Sequence, residues 1–296
     1  MKKKFIYLAA GVMLFAASCK EQGKLQPITL AEEESYVSDT IEVPQTKRIL
    51  VEELSGVQCV NCPEGAEILE QLNVQNSGNL SIITIHSGYL ASPIAGKSIQ
   101  DLTTEKGKDL RGIIGDGGKP AAAFDRLPIG ASPYKYLLEG ANKWANAIAQ
   151  SKTMTPSTPV NLYVSSKFNS EKNTYDIEVT VKYTKAVSDK HALHIFLTES
   201  DIVDVQMFGS TDYRNDYVFN HVFRDAVTPI SGRPFLTETA QKVPGQVYVY
   251  RASYKIDATD AKQKFWKPEN MHVTAFVNTF EADDIHVVQV QDAHLK

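Results

Sequence analysis

Basic charge is scarce in this chain. Its 31 Lys and Arg are outnumbered by 35 Asp and Glu, for a formal net charge of −4. A nucleic-acid binder normally gathers positive charge into a patch or stripe, so nucleic acid is not an expected partner. Cysteine is scarce too. Three in 296 residues cannot build a disulfide scaffold, and each is read on its own. Apolar runs are short: none beyond residue 18 is long enough to span a bilayer as a helix. No internal repeat occurs. Gly115-Asp116-Gly117-Gly118 lacks the Lys-Ser/Thr that completes a phosphate-binding loop. What remains is an apolar fraction of 43%, ample for a folded body, and a length that suits two ordinary domains.

Lys2-Lys3-Lys4, the apolar stretch from Phe5 to Phe15 and the small residues Ala16-Ala17-Ser18 have the order of a secretory signal peptide, assigned to residues 1–18. Cys19 follows directly. The arrangement resembles the lipobox of bacterial lipoproteins, with Ala16 where that motif usually has Leu. The resemblance implies that Cys19 is lipidated and becomes the first mature residue; plain secretion, with Cys19 a passenger, is the alternative. Lys20 after the cysteine implies, by the sorting rule of enteric bacteria, the outer membrane, facing either the periplasm or the cell surface. Residues 19–46 are polar and acidic (Glu32, Glu33, Glu34, Asp39, Glu42) and read as a flexible tether.

From residue 47 the pattern alternates between strand and helix. Residues 47–54 and 80–86 read as strands and 63–72 as a helix with Ala66, Leu69 and Leu72 on one face. Residues 96–114 hold one or two surface helices, 121–125 a short apolar run, and 133–150 a helix. This is an α/β layer structure over 47–150. A Ser/Thr/Pro stretch, residues 151–158, reads as a linker. Beyond it, seven runs of period near two (160–167, 175–183, 191–199, 217–227, 246–256, 271–280 and 286–291) suggest an immunoglobulin-like β-sandwich over 159–296. The fold class expected is α/β plus all-β. The stretch between Arg126 and Gly130 leaves little room for a further strand after Asp125.

Cys59-Val60-Asn61-Cys62 lies between an expected strand and an expected helix. Pro63 fits the first helical turn, where its missing N–H costs little. Unpaired N–H groups and the positive dipole end of a helix favour a thiolate, which is the form that attacks a disulfide. Cys59 is therefore the expected exposed nucleophile, and Cys62 the shielded resolving thiol. Two other readings stay open: a purely structural disulfide, and half of a zinc site. Zinc wants four ligands, and no second cysteine pair exists; His86 stands alone. No metal or organic cofactor is expected.

The stretch ILVEELSGVQCVNC, residues 49–62, resembles the thioredoxin superfamily. The resemblance implies that Glu53, six residues before the first cysteine, is a buried carboxylate that takes a proton from Cys62. It further implies that Pro120, in Lys119-Pro120-Ala121, is a cis-proline that docks the substrate strand beside the disulfide. Gln58 replaces the usual Trp, and Val-Asn the usual Gly-Pro. From lipobox to β-domain, the chain is similar to a family of Bacteroidetes outer-membrane lipoproteins related to a twenty-eight-kilodalton outer-membrane protein. Asn220-His221-Val222-Phe223-Arg224-Asp225 resembles that family's second-domain signature.

The expected function is that of a membrane-anchored extracytoplasmic thiol–disulfide oxidoreductase acting on protein thiols or disulfides. The alternative is a non-enzymatic surface lipoprotein, an adhesin or binding module. The remaining polar residues have plainer expectations. Glu52 should face away from Glu53 into solvent. Arg224 and Asp225 should form a local ion pair. His191 and His194, on opposite faces of a strand, should be structural.

Overall fold

The computed structural model describes residues 28–130 and 133–296. The expected signal peptide, Cys19 and the first part of the expected tether fall outside the described residues. The structure is mixed α/β and mostly strand. In chain order come β1 (Ile28–Val37), β2 (Ile49–Ser55), α1 (Cys62–Gln75), β3 (Leu80–His86), α2 (Glu105–Ile114), β4 (Ala121–Phe124), β5 (Leu137–Glu139) and α3 (Trp144–Met154). There follow β6 (Val160–Asn169), β7 (Thr174–Tyr183), β8 (His191–Glu199), β9 (Ile202–Met207), β10 (Tyr213–Phe219), β11 (Val222–Ala226), β12 (Arg233–Phe235), β13 (Gln246–Tyr254), β14 (Met271–Thr279) and β15 (Val287–His294).

β2 and β3 are buried along their whole length and pair in parallel, as β-branched strands covered on both faces do. β4 joins β2, and β5 joins β4, both antiparallel. α1 and α3 cover one face: Leu69, Leu72, Trp144 and Ile148 pack with Val51, Ile82 and Phe124. α2 covers the other, where Leu110 and Ile114 meet Leu54, Ile83 and Ile85. The order within this part of the sheet is β3-β2-β4-β5, with helices on both faces. α2 opens on Thr104, whose Oγ1 accepts the Gly107 N–H at 2.9 Å, a standard N-cap.

The helix expected over 133–150 is instead β5, a turn and α3. Gly140 adopts a positive φ of 87°, which ends β5 and starts the turn. The strand absent from the sequence reading is thus supplied from inside the segment read as helix. The linker expected at 151–158 is not free either. α3 runs into it, and Ser151 donates to Asp125 Oδ2 at 2.6 Å.

A self-contained immunoglobulin-like sandwich does not form. One layer is the four-stranded sheet β1-β13-β7-β6; the other belongs to a nine-stranded sheet, β15-β14-β8-β11-β3-β2-β4-β5, with β12 on β8. The core between them includes Val179, Tyr248, Ile195 and Val273. Without β11, β3 would be an open edge of unpaired backbone groups. β11 closes it, pairing Val222 with Thr84 in parallel.

The tether is also ordered from residue 28. β1 pairs along β13; Glu32, Glu33 and Glu34 stay exposed, as expected, but some of the acids also find cations. Glu33 pairs with Arg233, and Glu34 with Arg251. Glu42 accepts from Lys182 and Tyr163. Those bonds, with one from Asn161, hold its carboxyl down to about 2.

Glu52 does not face solvent. It is fully buried in a two-bond pair with Arg126, Nε at 2.9 Å and Nη2 at 2.7 Å. The Arg126 guanidinium also lies over the Phe276 ring, so this face is closed by residues from the β-rich part of the chain. Arg224 and Asp225 do not pair with each other, because neighbours in a strand point to opposite faces. Arg224 donates to Glu199 at 2.7 Å, while Asp225 takes Lys106 at 2.6 Å. His191 and His194 are buried, bonded to Tyr183 and Asn278 respectively.

Removing one partner of a buried pair strands the other charge. Arg126→Met should lower stability by about 3–5 kcal/mol in urea unfolding. Glu52→Met added to it should recover most of that loss.

Candidate functional site

The chain leaves β2 through a tight turn. Cys59 N–H donates to Gly56 O at 3.0 Å and Cys62 N–H to Cys59 O at 3.2 Å. α1 starts at Cys62, with Pro63 in its first turn and no side-chain cap from Asn61. Cys59 and Cys62 are joined in a disulfide, Cα to Cα 5.4 Å.

Cys59 is not the exposed thiol expected. Both cysteines are only 3% exposed. Two segments cover the turn. One is residues 88–92: Gln58 N–H donates to Leu90 O at 2.9 Å, and its side-chain amide to Ser92 O at 2.7 Å. Gly56 passes so close that a Cβ there would sit 2.4 Å from Leu90 O. The other is β9. Met207 N–H donates to Val57 O at 2.9 Å, and Gln206 Nε2 to Cys59 O at 2.9 Å.

Behind the disulfide lies a cavity of about 420 Å³ between α1 and the β9–β10 hairpin, lined in part by Glu53, Cys62, Thr84, His86, Gln206 and Tyr217. Glu53 is 1% exposed. Its Oε2 accepts from Thr84 Oγ1 at 3.2 Å, and its Oε1 has no partner. Burial disfavours the carboxylate and pushes the group up to about 8, against the pull of the Thr84 bond. His86 is equally buried, with both ring nitrogens unpartnered. Burial first, then the Arg224 and Lys119 charges, hold it down to about 3, so it stays neutral.

The Lys119–Pro120 peptide bond is cis, and Pro120 packs against α1. A Cβ on Gly65 would lie 2.9 Å from Pro120 Cβ and 3.3 Å from the Trp144 ring. Cys59, Cys62, Glu53 and Pro120 therefore surround one helix start. His86 and Gln206 escaped the sequence reading. In the sequence His86 stands alone, and Gln206 comes from a strand 147 residues downstream, with no motif around it. The one signal nearby was the 220–225 stretch. It carries the chain from β10 into β11, where His221 reaches back to Glu70 on α1 at 2.9 Å. Among the described residues, no group of three or more His, Cys, Asp or Glu could hold a metal ion. None of their helices is long and apolar enough to cross a membrane.

These features define a mixed α/β, mostly β protein with a disulfide set at a helix start and a buried acid behind it. The family model for outer membrane protein Omp28 matches residues 111–296, more than half of the chain, and the chain belongs to that outer membrane protein family. Among solved structures it is similar to HBP35 of Porphyromonas gingivalis, with a TM-score of 0.63 and 14% identity over 84% of this chain and 76% of that one. At that identity the likeness concerns the fold alone. A protein from Agrobacterium tumefaciens is more distant, with a TM-score of 0.49 and 13% identity over 86% of this chain and 97% of that one. No curated protein matches the chain.

The Glu53 shift has a definite sign in stability. With the folded value raised to about 8 and the unfolded near 4.5, the folded state binds the extra proton between those limits. Its contribution is fully present below pH 4.5 and is lost as pH rises through 8. Glu53→Gln should flatten this decline, by an amount on the order of a few kcal/mol. Urea unfolding of both proteins at pH 5 and pH 8.5 measures it.

Proposed function

We propose that the protein is a thiol–disulfide oxidoreductase of the cell envelope, held at the outer membrane by a lipid on Cys19 and acting on protein thiols or disulfides. The observation that carries this reading is Glu53. A carboxyl raised to about 8 sits in the cavity that Cys62 also lines. Near neutral pH such a group exchanges protons readily. The thioredoxin-like arrangement, with Pro120 packed against the cysteine helix at Gly65, supports the same reading.

In the reducing direction, once an external dithiol has reduced the Cys59–Cys62 disulfide and closed to its own disulfide, the Cys59 thiolate attacks one sulfur of a substrate disulfide. A Cys59–substrate bond forms and the other substrate sulfur leaves as a thiolate. Glu53 takes the proton of Cys62. The Cys62 thiolate then attacks Cys59 Sγ, which expels the second substrate thiolate and restores the Cys59–Cys62 disulfide. Two electrons pass to the substrate, and the two leaving thiolates take up protons. The reverse sequence oxidises a substrate dithiol.

A second reading is favoured by one specific observation, the 3% exposure of both cysteines. In it the disulfide only braces the turn, and the protein serves as a surface lipoprotein that binds through its β-rich part. The two readings separate on trapping. Under the first, Cys62→Ser should accumulate mixed disulfides through Cys59, and Cys59→Ser should abolish exchange with a substrate disulfide. Under the second, neither variant forms adducts and both lose stability. The anchor is tested separately: Cys19→Ala should end incorporation of labelled fatty acid and release the protein from the membrane fraction.

A further inference from the structure

β9 brings a buried amide onto the disulfide turn. Gln206 is 1% exposed, and its Nε2 donates to Cys59 O at 2.9 Å and to Met207 O at 3.0 Å, so both amide hydrogens are engaged. Next to it, Met207 N–H holds Val57 O at 2.9 Å. The turn is thus gripped at two carbonyls, Val57 and Cys59, from one strand. On the other side of the turn, Gln58 is held by Leu90 and Ser92. Val60 and Asn61 are exposed. Gln206 is therefore the last tie to the rest of the protein before the helix begins. β9 is itself fixed: Asp204, also 1% exposed, accepts the backbone N–H groups of Ile99 and Gln100, each at 3.0 Å.

We infer that Gln206 is a positioning residue for the Cys59–Cys62 pair: by clamping the Cys59 carbonyl it sets how readily that disulfide is opened and re-formed. The inference rests on the reading of the pair as redox-active and adds to it a residue that touches neither sulfur. Reduction by a dithiol gives two protein thiols, and the reductant closes to its own cyclic disulfide. Whether the two protein thiols then favour re-closing depends on how close the backbone holds them. A fixed Cys59 carbonyl keeps the cysteine backbones at disulfide spacing, which raises their effective concentration for each other. The same clamp keeps β9 over Cys59 and slows an incoming thiol.

The test compares the full chain with Gln206→Met, which keeps the volume but cannot donate, and with Gln206→Asn, which withdraws the amide by one methylene. Val203→Ala, on the exposed side of the same strand, is the control. The fraction of dithiol is read across a series of dithiothreitol ratios, and the reduction rate is read in excess dithiothreitol. Both Gln206 variants should shift the equilibrium about tenfold toward the dithiol, a midpoint ~30 mV less negative. Both should also be reduced several-fold faster, while Val203→Ala follows the natural protein. Should Gln206→Met fail to fold, Gln206→Asn carries the comparison. Unchanged equilibrium and rate in the folded variants overturn the inference. Turnover of a substrate disulfide is measured alongside. If the natural protein shows none while the Gln206 shifts persist, the oxidoreductase reading falls and the clamp stands.

Discussion

One residue ties the two parts of the chain together and reaches the site as well. Thr84 donates its backbone N–H to His221 O at 2.8 Å, at the point where β11 enters the sheet beside β3. Its hydroxyl donates to Glu53 at 3.2 Å. The strand that completes the sheet and the hydrogen bond that holds the buried acid thus meet on a single side chain. From this seam the rest follows. The chain reaches β11 from the β9–β10 hairpin, so docking β11 on β3 lays that hairpin across the start of α1. It brings Gln206 and Met207 to the cysteine turn, Phe219 edge-on to His86 at 5.4 Å, and His221 to Glu70.

The covering has two consequences that pull in opposite directions. It shields the sulfurs, which protects a disulfide and slows exchange. It also desolvates Glu53, which raises the carboxyl into the range where it can carry a proton at neutral pH. A site that only needed a brace would gain nothing from a carboxyl with an unpartnered oxygen, since burying such a group is costly. The acid behind Cys62 is the feature on which the proposed chemistry rests.

Much of the first half was legible because its signals are local. β2, α1 and β3 declare themselves through apolar runs, period and Pro63, and they fix Cys59, Cys62 and Glu53 in one place. Other signals were overruled by distant packing. The acids of residues 32–34 do stay exposed, but the flexible tether they suggest is fixed by β13, Arg233, Arg251 and Lys182 from far along the chain. Glu52 looks exposed until Arg126, beneath Phe276, covers it. The second half showed its strands but not their partners. Period two marks a strand without saying which sheet it joins, so β11 beside β3 was invisible. In β9 Val203, Val205 and Met207 alternate with Asp204 and Gln206, yet it is the polar pair that is buried, for its hydrogen bonds, while Val203 is exposed. The run expected over 217–227 is two strands, parted at Asn220-His221, where His221 takes a positive φ of 56°.

The most direct measurement is the midpoint potential of the Cys59–Cys62 pair in the folded natural protein, equilibrated in glutathione and dithiothreitol buffers with thiol trapping. A redox-active site should give a midpoint between about −120 and −270 mV, the span of known disulfide catalysts, with Cys59 trapped before Cys62. A pair that stays oxidised below about −300 mV, and yields to alkylation only on unfolding, would contradict it and leave the disulfide as a brace.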